Sequence, residues 1–87
     1  MSEKNTKKLP LFAEALKKLR SDKNWSLRDC EKRTGGNISR QTFLRAEQGD
    51  VTLEQLIKIL DLYGAKKREE VVRSFMDHEL AKARAAA

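Results

Sequence analysis

Residues 25–49, WSLRDCEKRTGGNISRQTFLRAEQG, decide the fold of this chain. Ser26 is a favourable helix N-cap, and Asp29 three positions later takes the place of the Glu or Gln of a capping box. Residues 34–37, TGGN, are of the types that end a helix and tolerate positive φ. Ser39 can then cap a second helix. The stretch therefore predicts two short helices joined by a turn.

Two short helices around a turn make a helix-turn-helix candidate, and three further helices are predicted around this pair. Pro10 suits the first turn of a helix whose apolar residues then recur at helical spacing. Thr52 and Gln55 complete a second capping box, and Gly64 stands where a glycine would end that helix. The last segment has the apolar spacing of an amphipathic helix. We predict an all-α domain of five helices, over residues 10–22, 27–34, 39–47, 52–63 and 66–84.

The charge of the chain is unevenly distributed. The formal net charge is +6, yet residues 1–45 hold 12 Lys and Arg against 5 Asp and Glu, whereas residues 46–87 hold 7 against 8. A basic half that contains the candidate motif is the footprint expected of a nucleic-acid partner. The alternative is that these lysines only keep a small domain in solution.

Composition argues against several other classes of protein. One cysteine and one histidine provide no metal-ligand cluster, so we expect neither a metal nor a cofactor. The acids, Ser, Cys and His show no catalytic arrangement, so we do not expect an enzyme. No apolar run approaches the ~20 residues that span a bilayer. A cytoplasmic protein with no membrane partner is the expectation, and Cys30 is expected to be a buried apolar side chain.

The second motif helix has two different faces. Steps of 100° per residue from Phe43 place Ala46 and Glu47 on the inner side. The outer side carries the guanidinium, amide and apolar groups that recognise base edges in a major groove: Arg with guanine, Gln with adenine, and an apolar contact with the thymine methyl. An ordinary solvated helix face is the alternative interpretation. On this wheel Gln41, Arg45 and Gln48 point away from Phe43, and Arg40, Thr42 and Leu44 flank them.

Arg20 ends the first helix beside its apolar stripe, where an unpaired guanidinium would be costly. Glu47, at the end of the second motif helix, is the partner we predict for a structural ion pair.

Apolar residues near the C-terminus suggest a second interface. The inner stripe of the fourth helix is predicted to contain Leu53, Leu56, Ile57, Leu60 and Tyr63, which leaves Ile59 and Leu62 to be covered by something else. The last helix can supply that cover within the subunit, or it can pair with its twin in a homodimer. The dimer candidates are Ile59, Leu62, Val72, Phe75, Met76 and Leu80.

The quoted motif and its flanks carry a family resemblance. The run LKKLRSDKNWSLRDCEKRTGG, followed by ISRQTFLRAEQGDVTLEQLIKILDLYG, resembles the lambda-repressor and Cro-like, or XRE-type, helix-turn-helix family. The similarity covers about residues 11–64. Its three fragments, SLRxxxxRTG, SRxTxxRxE and GDVTLxxL, are each weak, but their order and spacing together are specific.

This resemblance implies a DNA-binding transcriptional regulator, commonly a repressor, that binds operator DNA as a homodimer with its recognition helix in the major groove. It also implies the pair of Arg20 with Glu47. Position by position, it implies that the base-contacting candidates are Arg40, Gln41, Leu44 and Arg45, on the outer side that the helical wheel also indicates. Arg28 and Ser39 match positions that often contact phosphate, and Thr42 can contact phosphate or base. The expected organisation is a flexible basic arm over residues 1–9, a DNA-binding domain over 10–64 and a C-terminal helix over 65–87 that packs or dimerises. Lys4, Lys7 and Lys8 in the arm are further candidates for contact with the DNA backbone.

The sequence departs from the family pattern at three places. Gly36 and Asn37 resemble an insertion of two residues in the turn, which affects the tilt of the recognition helix. Glu31 replaces an alanine that is common in the first motif helix, and Leu27 replaces a frequent Gln at its start.

Two alternative functions remain open at this stage. An antitoxin would bind its own operator and cover a toxin with its C-terminal helix. A protein-interaction module would keep the fold without binding DNA, and the insertion in the turn favours that alternative most.

Overall fold

The computed structural model describes residues 9–86, and within that range the chain forms five helices and no strand. The predicted all-α, five-helix architecture is therefore confirmed. The arm residues Lys4, Lys7 and Lys8 lie outside the described residues. None of the described helices is both long and apolar enough to cross a membrane. The helices are α1 (Leu11–Asp22), α2 (Leu27–Arg33), α3 (Arg40–Ala46), α4 (Leu53–Tyr63) and α5 (Arg68–Ala86).

Local side-chain chemistry begins three of these helices at the predicted residues. Ser26 Oγ accepts a hydrogen bond from the Asp29 amide at 3.0 Å, and Asp29 Oδ2 accepts one from the Ser26 amide at 2.9 Å, which completes a capping box at α2. Thr52 and Gln55 form the same reciprocal arrangement at α4. Ser39 Oγ accepts from the amide of the third helical residue of α3 at 3.2 Å. Each cap satisfies an amide that the first turn of a helix leaves unpaired.

The helices enclose a single core. α1 packs on α5 and α4, α4 packs on α5, and α2 packs on α3. Phe12 of α1 is fully buried and meets Phe75 of α5 edge to face, with ring centroids 5.3 Å apart, and the ring of His78 lies 5.5 Å away. The backbone amide of Phe12 donates to Ser74 Oγ at 3.0 Å. The N-terminal end of α1 is therefore fixed to the middle of α5.

The buried face of α4 is rotated relative to the prediction. Leu56, Leu60 and Tyr63 are buried as predicted, but Leu53 and Ile57 are 37% and 42% exposed, and Ile59 is 1% exposed. The apolar residues of α4 surround most of its circumference, so periodicity alone does not fix which of them face inward. α4 contacts α1 as well as α5, and this packing buries Ile59 instead of Ile57.

The prediction that Ile59 and Phe75 form part of a dimer surface is therefore wrong, since both are buried within the subunit. Leu62 and Val72 are partly buried against the same core. Of the six dimer candidates, Met76 and Leu80 are the two that remain about half exposed.

The single cysteine belongs to the core. Cys30 is fully buried, and its Sγ lies 3.5 Å from the hydroxyl of Tyr63. Burial raises the pKa of the Cys30 thiol, and burial together with this contact raises the pKa of the Tyr63 hydroxyl far above its ordinary value. Both groups are therefore protonated at neutral pH, and neither is available as a nucleophile.

We expect Cys30 in the folded protein to react with a thiol reagent at least about 100-fold more slowly than in the urea-unfolded protein, because only the exposed thiolate reacts. Stopped-flow or spectrophotometric titration with a chromogenic disulfide measures both rates on the unmodified chain. Equal rates in the folded and unfolded protein would contradict the buried placement of Cys30.

Candidate nucleic-acid interface

The turn between α2 and α3, residues 34–39, is closed by one hydroxyl. Thr34 Oγ1 donates to the carbonyl oxygen of Glu31 at 2.8 Å and accepts from the amide of Ile38 at 3.1 Å. Gly35 and Gly36 adopt backbone φ angles of 66° and 85°, which residues other than glycine rarely adopt. Ile38 is 7% exposed and joins the core. Both ends of the turn are thus attached to the domain, Thr34 through its hydrogen bonds and Ile38 through its burial.

The inner face of α3 packs on the core as predicted. Phe43 and Ala46 are each 1% exposed, and the ring of Phe43 lies 6.5 Å from that of Tyr63. Since α3 is only about two turns long, these contacts together with its cap fix its rotation about its own axis.

A bidentate ion pair holds the C-terminal end of α3. Arg20 Nε donates to Glu47 Oε2 at 2.6 Å, and Arg20 Nη2 donates to Glu47 Oε1 at 3.0 Å. Arg20 Nη1 donates to the backbone oxygen of Trp25 at 2.9 Å. The side chain of Glu47 is 7% exposed and that of Arg20 18%. The guanidinium therefore connects α1, the loop before α2 and the end of α3, and its hydrogen bond to Glu47 raises the pKa of Arg20.

The opposite face of α3 is uncovered. Arg40, Gln41, Leu44 and Arg45 are all exposed on it, so the structure brings the four base-contacting candidates together on one surface. Leu44 is 41% exposed, which leaves an apolar side chain available between two guanidinium groups. We call these four residues the outer face of α3.

Neighbouring groups restrict some of the predicted contacts. Arg40 Nε lies 4.0 Å from Glu31 Oε1, so this glutamate has a cation beside it. Ser39 Oγ and Thr42 Oγ1 lie 3.1 Å apart while Ser39 also caps α3. The hydroxyls of Ser39 and Thr42 are therefore engaged within the protein, although both retain the capacity for further hydrogen bonds. Arg28 is exposed at the start of α2.

A cation of α2 stacks on the ring of Trp25, a contact that the sequence did not predict. The guanidinium carbon of Arg33 lies 4.1 Å from the centroid of the Trp25 ring, and Lys23 Nζ lies 5.2 Å from it. The ring of Trp25 lies 6.0 Å from that of Tyr63. Trp25 thus holds two cations against the surface next to the motif, a contact worth roughly 0.5 to 1 kcal/mol at an exposed site. Sequence spacing gives no signal for it, because the three residues belong to different local elements.

Within residues 9–86, no three His, Cys, Asp or Glu side chains are grouped so that they could hold a metal ion. The exposed surface around α3, with Arg40, Gln41, Leu44 and Arg45, is the candidate site. Comparison with known proteins returned no match to this chain among family models, curated proteins or solved structures.

Proposed function

We propose that this protein is a sequence-specific DNA-binding transcriptional regulator that acts as a repressor and binds an inverted-repeat operator as a homodimer. The observation that carries the proposal is the outer face of α3, an uncovered surface of two arginines, one glutamine and one leucine. The opposite face of the same helix is held by core packing and by the Arg20–Glu47 ion pair. A helix held so firmly on one side presents the other in one orientation, as recognition of base edges requires.

The chemistry of the outer face suits a major groove. An arginine recognises guanine through two hydrogen bonds, a glutamine recognises adenine in the same way, and Leu44 is placed to contact a thymine methyl group. Gln41 and Arg45 are one helical turn apart and stand on the same side of α3. Arg40 exchanges its weak contact with Glu31 for a base or a phosphate.

Cations near α3 supply the affinity that does not depend on sequence. Arg28, Lys32 and Arg33 belong to α2, and Arg28 stands at its exposed start. Contacts of this kind fix the register of a protein on the duplex, whereas base contacts choose the site. Two subunits would then occupy half-sites about one helical turn, ~34 Å, apart, and the bound dimer represses by occluding the promoter.

Selection of bound duplexes from a random pool tests the proposal, because it reports binding, sequence preference and half-site spacing together. With the selected operator, we expect Gln41→Ala and Arg45→Ala each to weaken binding by about 1 to 3 kcal/mol, or about 5- to 150-fold, and to relax the base preference at one position. Fluorescence anisotropy on the operator and on single-base variants of it measures both effects.

Two controls separate base recognition from general charge. Arg28→Ala is expected to weaken binding to all duplexes alike and to reduce the salt dependence of the affinity by about one unit of slope. Lys18→Ala, which removes an exposed cation of α1 paired with Asp22, is expected to have little effect. If Gln41→Ala and Arg45→Ala left affinity and sequence preference unchanged, the assignment of α3 would be wrong, and absence of any salt-dependent duplex binding would favour a protein-interaction module.

A further inference from the structure

A groove of about 530 Å³ opens between the second half of α1, the connection from α4 to α5 and the first turn of α5. Its apolar lining comes from buried and partly buried side chains, namely Leu19, Tyr63, Ala65 and Val71. Small residues keep the groove open, since Ala15 and Gly64 also line it and a Cβ atom added at Gly64 would contact nothing within 4 Å. Among the residues that the structure describes, none from α2 or α3 lines the groove, so it shares no residue with the outer face of α3.

Lysines provide most of the charge around this groove. The charged lining residues are Lys18, Lys23, Lys66 and Lys67, with the acids Asp22 and Glu70. Lys18 is paired with Asp22, with 3.8 Å between Nζ and Oδ2. Among residues 9–86, no carboxylate lies within 4.0 Å of the ammonium groups of Lys23, Lys66 and Lys67. Within the described lining, three ammonium groups thus stand beside one further carboxylate, and the groove has an excess of positive charge.

We infer that this groove binds a small amphiphile with an apolar chain and a carboxylate head, the chemistry of a medium-chain fatty acid. Sites for small ligands have volumes of about 300 to 1,000 Å³, a concave and mostly apolar lining, and a few polar groups that fix the orientation of the ligand. The chain lies against Leu19 and Val71, and the head lies beside Lys66 and Lys67. This inference goes beyond the proposed function and does not depend on it.

The two parts of the groove have different effects on the ligand. Removal of the apolar chain from water supplies most of the affinity, because exposed ion pairs are individually weak. The lysines instead select the sign of the head group, since a cationic head would meet like charges. A concave site bounded by three segments of the chain also suits a small ligand better than the surface of another protein.

Titration of the isotopically labelled full chain with sodium octanoate, followed by NMR, tests both the affinity and the place of binding. We expect saturable shift changes at Leu19, Ala65 and Val71, with a dissociation constant of about 0.1 to 2 mM for so small a ligand. Acetate, which has the head without the chain, is expected to cause no change at these residues. 1-Octanol, which has the chain without the charge, is expected to bind at least about threefold more weakly than octanoate.

A pair of charge variants tests the role of the lysines. Lys66→Gln combined with Lys67→Gln is expected to raise the dissociation constant of octanoate about three- to tenfold and to leave that of 1-octanol unchanged. Lys17→Gln combined with Lys82→Gln is the matched control, because it removes the same charge from two exposed positions that do not line the groove. We expect this control to bind octanoate within about twofold of the unmodified chain.

A filling variant tests the apolar part. Ala15→Leu adds three carbon atoms to the groove from α1 and is expected to weaken octanoate binding at least about tenfold. Ala81→Leu makes the same change at an exposed position of α5 outside the groove and is expected to leave binding unchanged. Circular dichroism establishes that both variants are folded, and the charge variants test the inference independently if Ala15→Leu is not.

The inference is overturned if octanoate causes no saturable change, if 1-octanol binds as tightly as octanoate, or if the changes occur instead between α4 and α5, around Ile57 and Met76. Shift changes at the groove that depend on protein concentration without octanoate would identify a second copy of the chain as its occupant, and they would also contradict the inference. All these measurements use the free protein. Octanoate binding by a chain that binds no duplex would therefore contradict only the proposed function, and duplex binding without octanoate binding would contradict only this inference.

Discussion

Replacing Arg20 by alanine is expected to lower the free energy of unfolding by about 3 to 5 kcal/mol, a large part of the stability of a domain of this size. The substitution removes both hydrogen bonds to the Glu47 carboxylate and leaves that carboxylate, whose side chain is 7% exposed, without its cation. A buried carboxylate that loses its partner keeps its desolvation cost but no longer has the attraction and hydrogen bonds that offset this cost. The backbone oxygen of Trp25 also loses its donor. Urea denaturation followed by circular dichroism measures the change.

Two companion variants separate this mechanism from a general loss of side chain or charge. Lys18→Ala removes a cation from the same helix, but Lys18 is 78% exposed and lies 3.8 Å from Asp22, so we expect a change within about 0.5 kcal/mol. The double variant Arg20→Met with Glu47→Met replaces both charges by apolar groups, and we expect it to be more stable than Arg20→Ala alone. An Arg20→Ala domain as stable as the unmodified chain would show that the pair contributes nothing to folding.

The ion pair also connects stability with the proposed function. Arg20 belongs to α1, whereas Glu47 directly follows α3, so the pair determines where the end of α3 lies relative to the domain. A displacement of this end would move Arg45 and Leu44 more than the capped start of the helix. We therefore attribute the orientation of the outer face to three supports: the cap at Ser39, the packing of Phe43 and this pair.

Features that depend on neighbours in sequence were predictable. The reciprocal bonds of Ser26 with Asp29 and of Thr52 with Gln55 span three residues, so residue identity and spacing are sufficient to locate them. The division of α3 into an inner and an outer face followed from its short length and from the position of Phe43. If Phe43 faces inward, Ala46 and Glu47 lie beside it, and Leu44, the other large apolar residue, is left outside.

Features that depend on the packing of distant elements were not predictable in the same way. α4 carries apolar residues at Leu56, Ile57, Ile59 and Leu60, so several rotations bury a comparable apolar area, and the contacts with α1 and α5 decide between them. The stacking of Arg33 on Trp25 likewise depends on the path of the chain between α1 and α2. Periodicity identifies that a helix is amphipathic, but it does not identify which partner covers each part of its surface.

The closing of the turn by Thr34 lies between these two cases. Its bonds to Glu31 and Ile38 are local, yet they depend on the positive φ of the two glycines between them. The sequence indicated a longer turn than the family pattern has, and that length suggested a displaced α3. Ile38 is buried, so the end of the turn is attached to the core before α3 begins, and a displacement of α3 relative to the family stays a prediction.

Truncation of Phe12 to alanine is expected to cost about 3 to 5 kcal/mol of unfolding free energy, comparable with the loss of Arg20 but for a different reason. Phe12 is fully buried between α1 and α5, where its ring meets Phe75 edge to face and lies against His78. Removing the ring forfeits its transfer free energy, leaves a cavity and loses an aromatic contact worth about 0.5 to 1.5 kcal/mol.

Phe12→Leu keeps most of the apolar volume, so we expect a clearly smaller loss than for Phe12→Ala. Leu11→Ala is the neighbouring control, because Leu11 is 69% exposed and its truncation should change stability by no more than about 0.5 kcal/mol. Chemical denaturation can be followed by circular dichroism, which reports on all the helices, and by the fluorescence of Trp25, which lies just before α2. Coincident transitions would show that α5 unfolds together with α2 and α3. If Phe12→Ala were nearly neutral, α5 would not be packed on α1 in solution.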